Sequence, residues 1–176
     1  LYKKLTKKKN FNEFSNPVYI DLLISGTHNP EISNKDLIYR CFYHLTNIDE
    51  NPKYIVVWEA IQTIIYENFH NNEITAHLFK IICKIISNFL MAADEDKLCD
   101  FIRQDIGFVS DMFSENKDKV HMLKEDDEIN DPCYICQGCL RIFSALCNQH
   151  EIIQQTSPNL VRDLCMPHFF EALHFQ

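Results

Sequence analysis

Apolar residues return every three or four positions along most of this chain, and that spacing constrains its fold more than any other feature. Ile55, Trp58, Ile61, Ile65 and Phe69 fall on one side of a helix, as do Leu78, Ile81, Ile82, Ile85, Ile86, Phe89 and Leu90, because residues three and four apart share a helical face. Strict two-residue alternation is missing, and so are the Asn-Gly and Asp-Gly pairs of tight hairpins. The pattern therefore predicts an all-α chain with no β-sheet. The second stripe is wide enough to need neighbours on more than one side, which places the helix from about Asn72 to Ala93 at the centre of the core.

Local signals divide the rest. Val18 to Ile24 is a short apolar segment behind Pro17, followed by a loop from Ser25 to Ile32 around Gly26 and Pro30. Ser33 and Asp36 have the spacing of a capping box and open a helix through Leu45. Pro52 suits the first turn of the helix that carries Trp58. Asp94 caps a short helix through Ile102, and a further helical turn covers about Asp105 to Phe113. Ser114 to Asn130 is charged and poor in apolar side chains, which predicts a loop longer than most connections within a domain. Asp131-Pro132 is a strong helix start, and that helix carries Cys136, Cys139, Leu140, Phe143, Leu146 and Cys147 on one side. Ser157-Pro158 opens another helix, and Pro167 ends or kinks the last one.

The length of 176 residues fits one domain. We divide it into a basic arm at 1–16 and a single helical domain at 17–176 with the charged insertion at 114–130. The first residue, Leu1, is not Met, and the chain reads as a piece of a longer protein. With 46% apolar residues it can build a substantial core. Its three glycines, Gly26, Gly107 and Gly138, are too far apart for a phosphate-cradling loop, which excludes the dinucleotide fingerprint and the P-loop. The longest apolar stretch, Ile81 to Ala93, is too short for a membrane span.

The formal net charge is −8. Lys3, Lys4, Lys7, Lys8 and Lys9 crowd the first ten residues, leaving 12 basic against 25 acidic side chains in the remainder. The lysine run is either a localisation signal or nucleic-acid contact, or a solvated chain end. The acidic body argues against direct nucleic-acid binding, which depends on cations that release phosphate counterions.

Eight cysteines occur, at positions 41, 83, 99, 133, 136, 139, 147 and 165. Most lie among Ile, Leu and Phe, where a free thiol behaves as a small hydrophobe, and we expect no signal peptide. We expect reduced thiols in an intracellular, cytoplasmic or nuclear setting. Cys133, Cys136, Cys147 and His150 form the alternative, since two such pairs offer four tetrahedral zinc ligands; Cys139, Cys165 and His168 add further donors. A continuous helix from Asp131 would put Cys136 and Cys147 about 16 Å apart, so the helix and the zinc site exclude each other. We expect the helix, buried thiols, no metal and no cofactor. His121 and His168 are isolated, and neither a nucleophile elbow nor a His-Glu-x-x-His motif occurs, so no catalytic residue is assigned.

Two stretches resemble each other. Ile81 to Phe113 and the segment from Gly138 to Cys165 each show a long apolar helix passing through a serine, a polar turn, an apolar pair and another apolar helix. Ile86-Ser87-Asn88-Phe89-Leu90 resembles the Leu-Ser-Asn-Leu-like end of the last helix in armadillo repeats, and Phe143-Ser144-Ala145-Leu146 is similar with alanine in the asparagine's place. Ser87 and Ser144 are 57 residues apart, against roughly 40–47 for armadillo and HEAT units. The surplus is about the size of the charged segment, which would be an insertion between units; the helices from Leu37 to Phe69 would form a degenerate earlier unit. The resemblance covers residues 34 to 176.

It implies a fragment of a right-handed α-solenoid of the armadillo/HEAT type. By that resemblance the chain is a noncatalytic scaffold or adaptor for protein–protein interaction within a larger protein or complex. Its partner would be another protein or a peptide, with no membrane involved. The resemblance places a peptide-binding role on Asn88, whose amide both donates and accepts; the alternative is that it bonds a neighbouring helix end. Ala145 removes the next asparagine of any ladder. Trp58 lies on the same surface or in the core. Glu125, Asp126, Asp127 and Glu128 in the insertion would attract a basic partner, or form a solvated loop. Two further alternatives are a zinc-stabilised domain and a compact bundle that grips a partner's amphipathic helix.

Overall fold

The computed structural model describes residues 16–32, 35–47, 49, 51, 53–71, 73–120, 131–149, 151–153 and 159. These residues are all-helical, with no strand among them. Among the described residues the helices run in the order α1 (Pro17–His28), α2 (Asp36–Leu45), α3 (Tyr54–Phe69), α4 (Ala76–Ala92), α5 (Glu95–Gln104), α6 (Ile106–Lys117) and α7 (Pro132–Asn148), and residues 151–153 are helical as well. They fall into two compact units that divide between Ile74 and Thr75. No described helix is long and apolar enough to cross a membrane.

In the first unit α1, α2 and α3 pack on one another. Trp58, Ile61, Ile65 and Phe69 of α3 are buried, with Ile20 and Leu23 of α1 and Tyr39, Cys41, Phe42 and Leu45 of α2. Each fully buried aliphatic side chain adds about 1.5–3 kcal/mol. The phenol of Tyr39 meets Phe42 edge to face at 5.8 Å, and burial, with Glu67 nearby, pushes its pKa up to about 12. Asn51 is fully buried and connects two helices: its Nδ2 donates to the Leu45 carbonyl at 2.6 Å and its Oδ1 accepts from the Lys53 amide at 3.0 Å. One side chain thus satisfies groups at the end of α2 and the approach to α3, where the helical ladder leaves partners unmade.

Two boundaries differ from expectation here. The loop placed at Ser25 to Ile32 begins later, because α1 continues to His28. Gly26 lies within this helix and close to α2: a Cβ there would stand 2.9 Å from Ile38 Cδ1. The helix assigned to a Ser33–Asp36 capping box starts only at Asp36, with Lys35 at the capping position and no side-chain bond. Ser33, like Pro52, Asn72 and the arm at 1–15, lies outside the described residues.

The second unit is built on α4. Thr75 caps it by accepting from the Leu78 amide at 3.2 Å, and buried residues occur around nearly its whole circumference. Its most extensive partner is α7, and α6 packs on α7 in turn. Phe79 of α4 meets Phe108 of α6 at 6.4 Å, and Phe113 of α6 meets Phe143 of α7 at 6.2 Å. Asp94 caps α5 by accepting from the Lys97 amide at 3.1 Å. Asp131 caps α7 by accepting from the Cys133 amide at 2.7 Å, with Pro132 at the first helical position. The expected loop at 114–130 is helical over its first four residues. There Asn116 is buried and its amide donates to the Met112 carbonyl at 2.8 Å, which holds the last turn of α6. Residues 121–130 lie outside the described set.

The partners along α4 and α7 fix their relative direction. Lys80 faces Gln137, Cys83 faces Gly138, and Leu90 and Met91 face Gln149. Positions on one helix rise together with positions on the other, so the two helices run parallel. Each is 17 residues long.

Candidate functional site

Most of the sequence candidates that the structure describes lie along this parallel seam. Its middle is held by the absence of a side chain. A Cβ on Gly138 would stand 3.0 Å from Cys83 Sγ, 3.2 Å from Cys83 Cβ and 3.3 Å from the Lys80 Cα, so glycine lets the helices approach closely. Thiols fill the space beside it. Cys83 and Cys139 are fully buried, and Cys136 is 5% exposed. Burial pushes Cys136 up to about 11, and the neighbouring Cys133 acts in the same direction. Burial pushes Cys139 and Cys83 further up, each aided by the next thiol along the row. The thiolate is the reactive form, and burial disfavours it at all three of these sulfurs at neutral pH.

A polar and aromatic cluster covers the near end of the seam. Lys80 Nζ donates to Gln137 Oε1 and lies 4.6 Å from the centre of the Tyr134 ring, within the range of a cation–π contact. His77 meets Tyr134 edge to face at 5.3 Å. Gln137 Nε2 then donates to Cys133 Sγ at 3.2 Å. At the far end, Gln149 Nε2 donates to the Met91 carbonyl at 2.6 Å and the Leu90 carbonyl at 3.2 Å, which occupies acceptors at the end of α4.

The individual candidates are distributed as follows. Asn88 is 8% exposed on α4, whereas an asparagine that reads a peptide must turn its amide to solvent. Trp58 is 3% exposed in the first unit and packs edge to face on Tyr66 at 6.0 Å. Glu125, Asp126, Asp127, Glu128 and His150 lie outside the described residues, as do Cys165, His121 and His168. Cys133, Cys136 and Cys147 all belong to α7, which runs without a break. Eleven residues of helix separate Cys136 from Cys147, about 16 Å at 1.5 Å per residue, so these two sulfurs cannot bind one ion. The seven described cysteines are free thiols.

The outer surface of α5 and α6 is acidic. Asp94, Glu95, Asp96, Asp100, Asp111, Glu115 and Asp118 are exposed there, against exposed Lys97, Arg103 and Lys119. Lys97 pairs with Asp94 at 3.2 Å and Arg103 with Asp100 at 3.8 Å, both within a turn and open to solvent, where such pairs contribute little. Comparison with protein-family models, curated proteins and solved structures gave no match.

Proposed function

We propose that this chain is a noncatalytic interaction module built as a right-handed armadillo-like stack. In this reading α4 closes one unit, and α5, α6 and α7 form the next. The supporting observation is the parallel seam. Ser87 and Ser144 are 57 residues apart in the sequence similarity, and Lys80 bonds Gln137 across the same interval of 57. Stacked units place equivalent helices side by side and in register, and α4 and α7 have equal length as equivalent helices should. The Lys80–Gln137 pair falls on the interval of the sequence similarity, and the other pairs of the seam fall within two residues of it.

The partner in this reading is a basic segment of another protein, held on the acidic side of α5 and α6 rather than on Asn88 or Trp58. Complementary charge would steer it there and set its orientation. Fluorescence anisotropy with a labelled lysine- and arginine-rich peptide tests the idea, beside a peptide of the same length with glutamates in their place. The basic peptide should bind, and its affinity should fall as salt rises from low to physiological strength. Replacing Asp111 and Glu115 together by lysine should weaken it about tenfold, equivalent to roughly 1.4 kcal/mol. Equal binding of both peptides, or indifference to the double replacement, would count against the proposal.

A further inference from the structure

We propose that Cys133 and Cys136 form a redox-active dithiol, which hydrogen peroxide converts into a disulfide within α7. This goes beyond the scaffold reading and does not depend on it. The two cysteines are the second and fifth residues of the helix, three positions apart on one face. Helical geometry sets their Cα atoms about 5 Å apart, inside the roughly 4.4–6.8 Å that a disulfide bridges.

Burial differs within the pair and gives it an order of events. Cys133 is partly exposed, with its sulfur 3.2 Å from the Gln137 amide nitrogen, whereas Cys136 is buried beneath it. A peroxide arriving from solvent reaches Cys133 first. Its thiolate attacks one peroxide oxygen, the O–O bond breaks and hydroxide leaves, taking a proton to become water. Cys133 is then a sulfenic acid. The Cys136 sulfur attacks the Cys133 sulfur, the S–O bond breaks, and the departing hydroxide takes the Cys136 proton as a second water. Two thiols and one peroxide thus yield one disulfide and two waters, with the thiols oxidised and the peroxide reduced. Burial raises the pKa of Cys136, which disfavours the thiolate that attacks in the second step. The negative charge of a Cys133 thiolate, which opposes ionisation of Cys136, is gone once Cys133 is a neutral sulfenic acid.

Cys99 and Cys147, also partly exposed, have no second cysteine three or four residues away and serve as internal comparisons. The test treats the full chain with peroxide, unfolds it, labels remaining thiols with N-ethylmaleimide and weighs the tryptic peptide Glu125–Arg141. That peptide holds Cys133, Cys136 and Cys139. The expected product lacks two hydrogens and takes one label, on Cys139, where untreated protein takes three; dithiothreitol should restore all three. Cys133→Ser should abolish the loss of hydrogens and keep both remaining thiols open to label. Circular dichroism checks that this variant retains its helices, and its substituted side chain is partly exposed. Cys136→Ser should leave a Cys133 sulfenic acid that dimedone traps. Three labels on peroxide-treated protein would overturn the proposal. So would the same loss of hydrogens in Cys133→Ser, or Cys133 carried to sulfinic acid while Cys136 still takes label.

Discussion

Replacing Gly138 by alanine gives a direct measure of how closely α4 and α7 approach. On helical propensity alone the change should stabilise the protein, since glycine in a helix interior costs about 0.8–1 kcal/mol relative to alanine. The new methyl group would, however, stand 3.0 Å from the sulfur of fully buried Cys83 and 3.3 Å from the Lys80 Cα. The second of these is backbone and cannot swing aside. Overpacking of this kind costs about 1–3 kcal/mol, so we expect Gly138→Ala to destabilise by about 1 kcal/mol. Gly107→Ala is the matched control, because nothing lies within 4 Å of its Cβ position and its φ is not positive; it should stabilise by about 0.4–1 kcal/mol. Urea titrations followed by circular dichroism give both values, and the difference between the two variants isolates the cost of the close approach. Adding Cys83→Ala to Gly138→Ala removes the nearest atom and should recover part of the loss, a coupling of about 0.5–3 kcal/mol. Equal stabilisation by both glycine replacements, or no coupling with Cys83, would refute the seam as described.

Three further outcomes follow from the same geometry. Gln149→Ala should cost about 0.5–1.5 kcal/mol for the bonds lost at the end of α4, read as a lower urea midpoint; an unchanged midpoint would show that solvent replaces them fully. Asp94 has its pKa held below the ordinary 3.8, first by the Lys97 backbone amide and then by the Lys97 side chain. Its contribution is therefore complete above pH 3.8 and fades as the pH falls through the depressed value, so Asp94→Asn should keep the cap but flatten the acid limb of the stability profile. In native alkylation, Cys99, Cys133 and Cys147 should react quickly while Cys41, Cys83, Cys136 and Cys139 react slowly, following their burial; rapid labelling of Cys83 would mean that α4 and α7 separate readily.

What could be read from the sequence was what is decided within a few residues. Asp94 and Asp131 cap helices because their carboxylates reach amides two or three positions ahead, and the apolar stripe of α4 demanded neighbours around it. The extension of α1 past Gly26 was hidden because Gly26 and Pro30 read as loop residues, yet the helix runs through the glycine to His28. The last turn of α6 was hidden because Ser114, Glu115, Asn116 and Lys117 have no apolar side chain, yet the Asn116 amide bonds the turn before it. Asn51 gave no signal at all, since its use depends on where α2 ends. The seam cluster was missed although a signal existed: the interval of 57 that relates Ser87 to Ser144 also carries Lys80 to Gln137. Applying it across the whole helix would have paired them.

The parallel course of α4 and α7 also bears on how the second unit assembles from the unfolded chain. Two parallel helices cannot be joined by a short turn, so the contacts between Lys80 and Gln137 and between Leu90 and Gln149 close loops of 57 and 59 residues. Closing such loops loses chain entropy before any burial offsets it, and non-local contacts of this kind slow the search for the native state. The helices of the first unit meet neighbours nearer in sequence, so that unit should reach its native topology sooner, and the joining of α4 to α7 should be among the last events of folding.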